Sequence, residues 1–198
     1  MASIKISGDT SGEITISAPA VAGTNTLTLP ASTSTIATTD DTGIQMADQW
    51  RLTADFTSGS TTLSSNLERV DTSGQGTIGS AMTESSGVFT FPETGIYHIN
   101  FQAEVDMNSD CRWMLVYIES TRNNGSSWTE IAEGGTFLQQ TSSNYTPTQL
   151  ATDSLFDCAD TSNHKVRFKI AAVDASLNWK GSSVDNETHM TFVRLGDT

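Results

Sequence analysis

Apolar and polar residues alternate with a period of two along most of the chain, and no stretch of helical period reaches a useful length. The cleanest run is IYHINFQAEVD (96–106). Tyr97, Ile99, Phe101, Ala103 and Val105 share one face of it, and His98, Asn100, Gln102 and Glu104 share the other, which predicts a strand with one buried and one wet face. HKVRFKIAAVD (164–174) repeats the pattern, with Val166, Phe168, Ile170 and Ala172 inward and Lys165, Arg167 and Lys169 outward. CRWMLVYIES (111–120) is apolar on both faces apart from Arg112, as in a strand deep inside a sandwich. WRLTADF (50–56), TTLSSNLERVD (61–71), VFTF (88–91), WTEIAEGG (128–135), TFLQQTS (136–142), TQLATDSLFDCA (148–159), SLNWKG (176–181) and THMTFVRLG (188–196) complete the series. Turn signals such as PETG (92–95) and Asn124-Gly125 separate them. About nine or ten short strands at this spacing predict an all-β protein, with an antiparallel sandwich over residues 49–198.

Residues 1–39 read differently. They hold no aromatic residue, only seven Ile or Leu, and one Val. Four short alternating runs appear there: IKIS (4–7), EITIS (13–17), TLTL (26–29) and STIAT (34–38). This much apolar surface cannot offset the entropy of ordering the segment. The segment is therefore expected to be a β arm that orders against sister chains or a larger scaffold, with Ile14, Ile16, Leu27 and Leu29 as its attachment residues. Residues 40–48, DDTGIQMAD, are polar, acidic and aperiodic, and read as a linker.

Charge narrows the function. Ten Lys and Arg stand against 23 Asp and Glu, a formal net charge of −13. That balance repels polyanions and argues against nucleic acid or an anionic membrane as partner. No apolar run approaches the roughly 18 residues of a membrane-spanning helix, so no membrane insertion is expected. The opening MASIKISGDT has no apolar signal core. Cys111 and Cys158 lack CxxC partners and read as two reduced thiols.

Catalytic chemistry finds no foothold. His98, His164 and His189 fall in separate strands or strand starts, in no triad or zinc order. Glu104 with Asp106, and Glu130 with Glu133, are close enough in sequence to suggest the carboxylate pairs of glycosidases, but the first pair shares the wet face of a short strand and reads as solvated. The chain is expected to be no enzyme, with no cofactor and no assigned metal site. Acidic loops at Asp106–Asp110, Asp153–Asp160 and Asp174 offer oxygen donors of the calcium type without an Asp-x-Asp-x-Asp-Gly loop, so calcium stays open and without ligands. Trp128, Tyr145 and Trp179, each near a turn, are the candidate receptor contacts.

The segment GVFTFPETGIYHINFQAEV places Phe89 and Phe91 before Pro92, then Gly95, Tyr97 and Phe101. It resembles a hallmark of the C1q/tumour necrosis factor jelly roll, and the ending, WKG followed by THMTFVRLG, is similar too. The likeness covers roughly residues 49–198 and implies a jelly-roll knob that assembles as a homotrimer. Ala18 through Ala31, within SAPAVAGTNTLTLPAS, resembles segments of phage tail-fibre and virion structural proteins, marine phages especially, and implies attachment to a capsid or tail protein. Together these resemblances imply a non-enzymatic structural component of a bacteriophage virion, assembled in the host cytoplasm. The first reading is a short trimeric head fibre or decoration protein held by its N-terminal arm. The second is a tail-fibre tip or tail appendage that binds a host surface glycan or protein. A secreted bacterial C1q-like protein is a third, opposed by the missing signal core; the lack of a long shaft favours the first over the second.

Overall fold

The computed structural model describes residues 3–7, 10–17, 21, 23–24, 43–141 and 145–198. The chain divides into two compact units, Met1–Thr38 and Thr39–Thr198. In the first, β1 (Ser3–Ser7) and β2 (Glu13–Ser17) form an antiparallel hairpin in which Ile4 faces Ile16 and Ile6 faces Ile14. The pleat puts all four isoleucines on one face, and all four are exposed. The runs TLTL and STIAT, with Leu27 and Leu29, lie outside the described residues.

The second unit is built of strands alone among its described residues. In chain order these are β3 (Met46–Leu52), β4 (Ala54–Thr57), β5 (Ser60–Thr62), β6 (Leu67–Arg69), β7 (Thr83–Ser85), β8 (Val88–Thr90), β9 (Gly95–Met107), β10 (Cys111–Thr121), β11 (Thr129–Leu138), β12 (Thr146–Cys158), β13 (Lys165–Ala172), β14 (Asn178–Ser182) and β15 (His189–Gly196). One sheet runs β11-β10-β13-β8-β7, with β5 also on β13. The other runs β4-β14-β9-β15-β3-β6, with β12 on the remaining side of β9. Every pairing is antiparallel. The fold is thus the expected all-β antiparallel jelly roll.

The period-two pattern of β9 fixes the core. Its inward residues, Tyr97 to Val105, are fully buried opposite Val116 and Ile118 of β10 and Val166, Phe168 and Ile170 of β13. Phe89 sits at the centre, 5.4 Å from Trp50, 5.4 Å from Phe168 and 5.2 Å from Phe192 between ring centroids. Burying each such ring is worth on the order of 2–3 kcal/mol before packing geometry is counted. The PETG turn is closed by Tyr97, whose hydroxyl donates to the Glu93 carbonyl at 2.9 Å.

Three boundaries depart from the sequence expectation. The first strand of the second unit, β3, opens at Met46, inside the stretch read as linker, because Asp48 is a buried structural acceptor rather than a solvated acid. Its carboxylate receives the Gln49 and Met82 amides, the Trp50 indole N–H and the Arg69 guanidinium at 2.9–3.1 Å. TTLSSNLERVD is two strands, β5 and β6, in different sheets; Asn66 between them takes a φ of 56° that no strand accommodates. WTEIAEGG and TFLQQTS are one strand, β11, instead of two.

Candidate functional site

The antiparallel ladders give the second unit two poles. Met46 pairs with Arg194, Ile96 with Gly196, and Asp157 with Ile96, so β3 begins where β15 and β12 end. Met107 pairs with Thr146, Asp106 with Asn178, and Cys111 with Leu138, so the β9–β10 turn, the ends of β11 and β13 and the start of β12 gather at the opposite pole. The chain enters this unit at the first pole, which leaves the second as the far one.

One side of the sandwich is bare. Among the described residues β11 and β12 are each paired on one side only, and they run next to each other where the two sheets meet. Gly134 makes that approach feasible: a Cβ there would overlap the Ala151 carbonyl. Leu155 stands out from β12 at 66% exposure. It borders a groove of about 640 Å³ near the first pole, lined also by Arg122, Asn123, Ser127 and Asp157. Arg122 is held over the Phe156 ring, 5.9 Å from its centroid.

At the far pole β10 carries a bulge. Cys111 pairs with Leu138 and Met114 with Thr136, so β10 spends one residue more than β11 between these pairs. Arg112 and Trp113 both turn to solvent as a result, while Cys111 and Met114 stay buried. Trp113 is 42% exposed, and Phe137, across the ladder on the same outer face, is 65% exposed. Sequence reasoning passed over both, because an aromatic inside an apolar run reads as core.

The residues singled out from sequence scatter. Trp179 is fully buried and its indole N–H donates to the Ser58 carbonyl at 2.9 Å, so it presents no ring to a ligand. Trp128 is half-buried beneath the Arg167 guanidinium, 4.3 Å from the ring centroid. Tyr145 is exposed, just before β12 at the far pole. Ile14 and Ile16 lie on the exposed face of the arm hairpin.

Most of the acids and histidines weighed from the sequence have structural partners. Glu104 accepts from the Gln149 amide at 3.0 Å and Asp106 from the Asn178 amide at 2.9 Å. Glu130 is paired with Lys169 at 3.0 Å. His98 stands 3.4 Å from Asp153 on the wet face, and His164 accepts from the Ala159 amide at 3.2 Å. Burial pushes the half-buried His189 below the ordinary imidazole range. Both thiols are free and buried, and burial drives Cys158 up to about 11. Among the described residues no three His, Cys, Asp or Glu side chains gather to hold a metal ion.

No family model and no curated protein matches the chain. Solved structures do. The crystal structure of murine APRIL at pH 8.5 is 14% identical with a TM-score of 0.51, over 76% of this chain and 98% of that one. Murine APRIL at pH 5.0 is 16% identical with the same TM-score and coverage. Eiger TNF from S. frugiperda is 12% identical with a TM-score of 0.53, over 79% of this chain and 96% of that one. At such identities the likeness is one of fold alone, and the second unit folds as a jelly roll of the tumour necrosis factor type.

Proposed function

We propose that the chain is a non-enzymatic structural component of a bacteriophage virion, a short trimeric fibre or decoration protein whose arm anchors a jelly-roll knob. The observation that carries this reading is the contrast between the two units. The knob has a complete aromatic core, whereas the arm hairpin exposes all four of its isoleucines and, among its described residues, has nothing of its own to cover them. A two-stranded hairpin with one apolar face is marginal in water and gains order on a partner. The resemblance of Ala18–Ala31 to virion segments supports reading that partner as a capsid or tail protein. The bare β11–β12 side, with Leu155 outward beside a groove, supports a homotrimer in which each knob seats against the next. Fold neighbours of the tumour necrosis factor type agree with a binding or assembly role instead of catalysis. The tail-tip reading gains from the exposed Trp113 and Tyr145 at the pole opposite the chain's entry.

Deletion of residues 1–39 should leave the knob folded and trimeric while abolishing its incorporation into particles. Ile14→Asp with Ile16→Asp should do the same, since each unpaired charge in an interface costs several kcal/mol. Truncated protein found on particles at normal copy number would move the anchor into the knob.

A further inference from the structure

We infer that the Arg112–Trp113 bulge, with Phe137 beside it, is a recognition platform for a saccharide bearing a carboxylate. The bulge does one thing that a regular ladder cannot: it turns two consecutive side chains, a guanidinium and an indole, to the same solvent. A regular strand would have buried one of them. Phe137 extends the platform across the ladder, and Val173, whose amide donates to the Trp113 carbonyl at 3.2 Å, borders it at 41% exposure.

Charge selects the ligand. Arg51, Arg69, Arg167 and Arg194 are each paired with a carboxylate. Arg112 has no hydrogen bond, ion pair or ring contact among the described residues, in a chain of net charge −13. The acids of the same pole are already committed: Asp110 accepts the Gln140 amide at 2.7 Å, Asp106 the Asn178 side chain and Asp174 the Ser176 amide at 2.8 Å. The guanidinium is therefore a cation at that pole without a partner among the described residues, and its planar fork matches a carboxylate. An exposed indole offers a flat apolar surface to the C–H face of a pyranose ring, with its N–H free for a hydroxyl. A wholly apolar ligand would leave Arg112 unused, and a polyanionic nucleic acid would meet the repulsion of the whole chain.

The inference rests on the knob's being the outward end, but its test needs no particle, so its failure would leave the anchoring untouched. Methyl galactopyranosiduronate, which carries a single carboxylate, and its methyl ester are titrated into the full-length protein and followed by nitrogen-15 correlation spectra and calorimetry. The acid form should bind and shift the Trp113 indole signal, and the ester should bind at least tenfold more weakly. Arg112→Gln should remove the preference for the acid, Arg112→Lys should keep part of it, and Trp113→Ala should weaken both forms, with melting temperature and sedimenting mass unchanged. Equal binding of acid and ester, binding of neither, or wild-type behaviour of Arg112→Gln would overturn the proposal. So would a change of oligomeric mass in Trp113→Ala, which would make the bulge a contact between copies.

Discussion

Individual side chains show how little the type of a residue says about its use. Asp48 and Arg51 sit three positions apart in β3 and both are buried. Asp48 gathers amides and cations, while Arg51 reaches Glu68 and Asp71 at 2.7 Å, Thr72 at 2.9 Å and the carbonyls of Ser183 and Val184. Tyr97 and Cys158 tie the fold to pH. Burial first, then the Glu93 carboxylate and Cys158, lifts the Tyr97 phenol from 10 to about 12, and burial lifts the Cys158 thiol from 9 to about 11. Both acids hold their protons more tightly folded than unfolded. Their contribution is complete below pH 9 and drains away as pH rises toward 12. His189 works in the other sense: its imidazole is held neutral, so stability falls as pH drops below its ordinary 6.5. Thermal melts across pH should show both slopes, and Tyr97→Phe should flatten the alkaline one. At neutral pH the same variant should lose about 1 kcal/mol with the Tyr97–Glu93 hydrogen bond.

At the scale of elements, β11 passes close over β12 at Gly134. Gly134→Ala forces these two strands apart and should cost about 1–3 kcal/mol, read as a lowered melting temperature. Wild-type stability in that variant would mean that the bare side is looser than its packing implies. Strands whose two faces differ were legible in the sequence: β9, β13 and β15 were all read near their observed bounds, because half-buried strands must alternate. What escaped depended on long-range partners. β3 hid its start behind an aspartate whose burial requires Arg69 and Met82, and β5 and β6 looked like one strand until Asn66 turned the chain between sheets. The aromatic candidates divide by the same cause: Tyr145 is exposed, as a contact residue must be. Trp179 next to a turn is core, whereas Trp113 in mid-run is outside, since only the pairing of β10 with β11 discloses the bulge.

For the whole molecule, the two poles and the bare side of the knob divide the labour proposed above: anchoring through the segment that enters one pole, recognition at the other, copies alongside. Leu155→Asp puts a charge on the bare side without touching the core. It should convert a species sedimenting near three times 21.2 kDa into monomer while leaving the knob folded. An unchanged mass would place the contact between copies on another surface. The sheet order carries one further consequence, which is kinetic. β15 lies between β9 and β3, and Gln49 bonds to Thr191 across 142 residues of chain. At ribosomal speeds of about 5–20 residues per second, β3 waits roughly 7–30 s for the strand it needs. Through that interval β3 and one edge of β9 are open to other chains. Pairings this distant in sequence also slow the final closure itself. The vulnerable moment of this protein is therefore its synthesis, and a lower growth temperature or an added chaperone should raise the yield of soluble knob more than any gain in the stability of the finished fold.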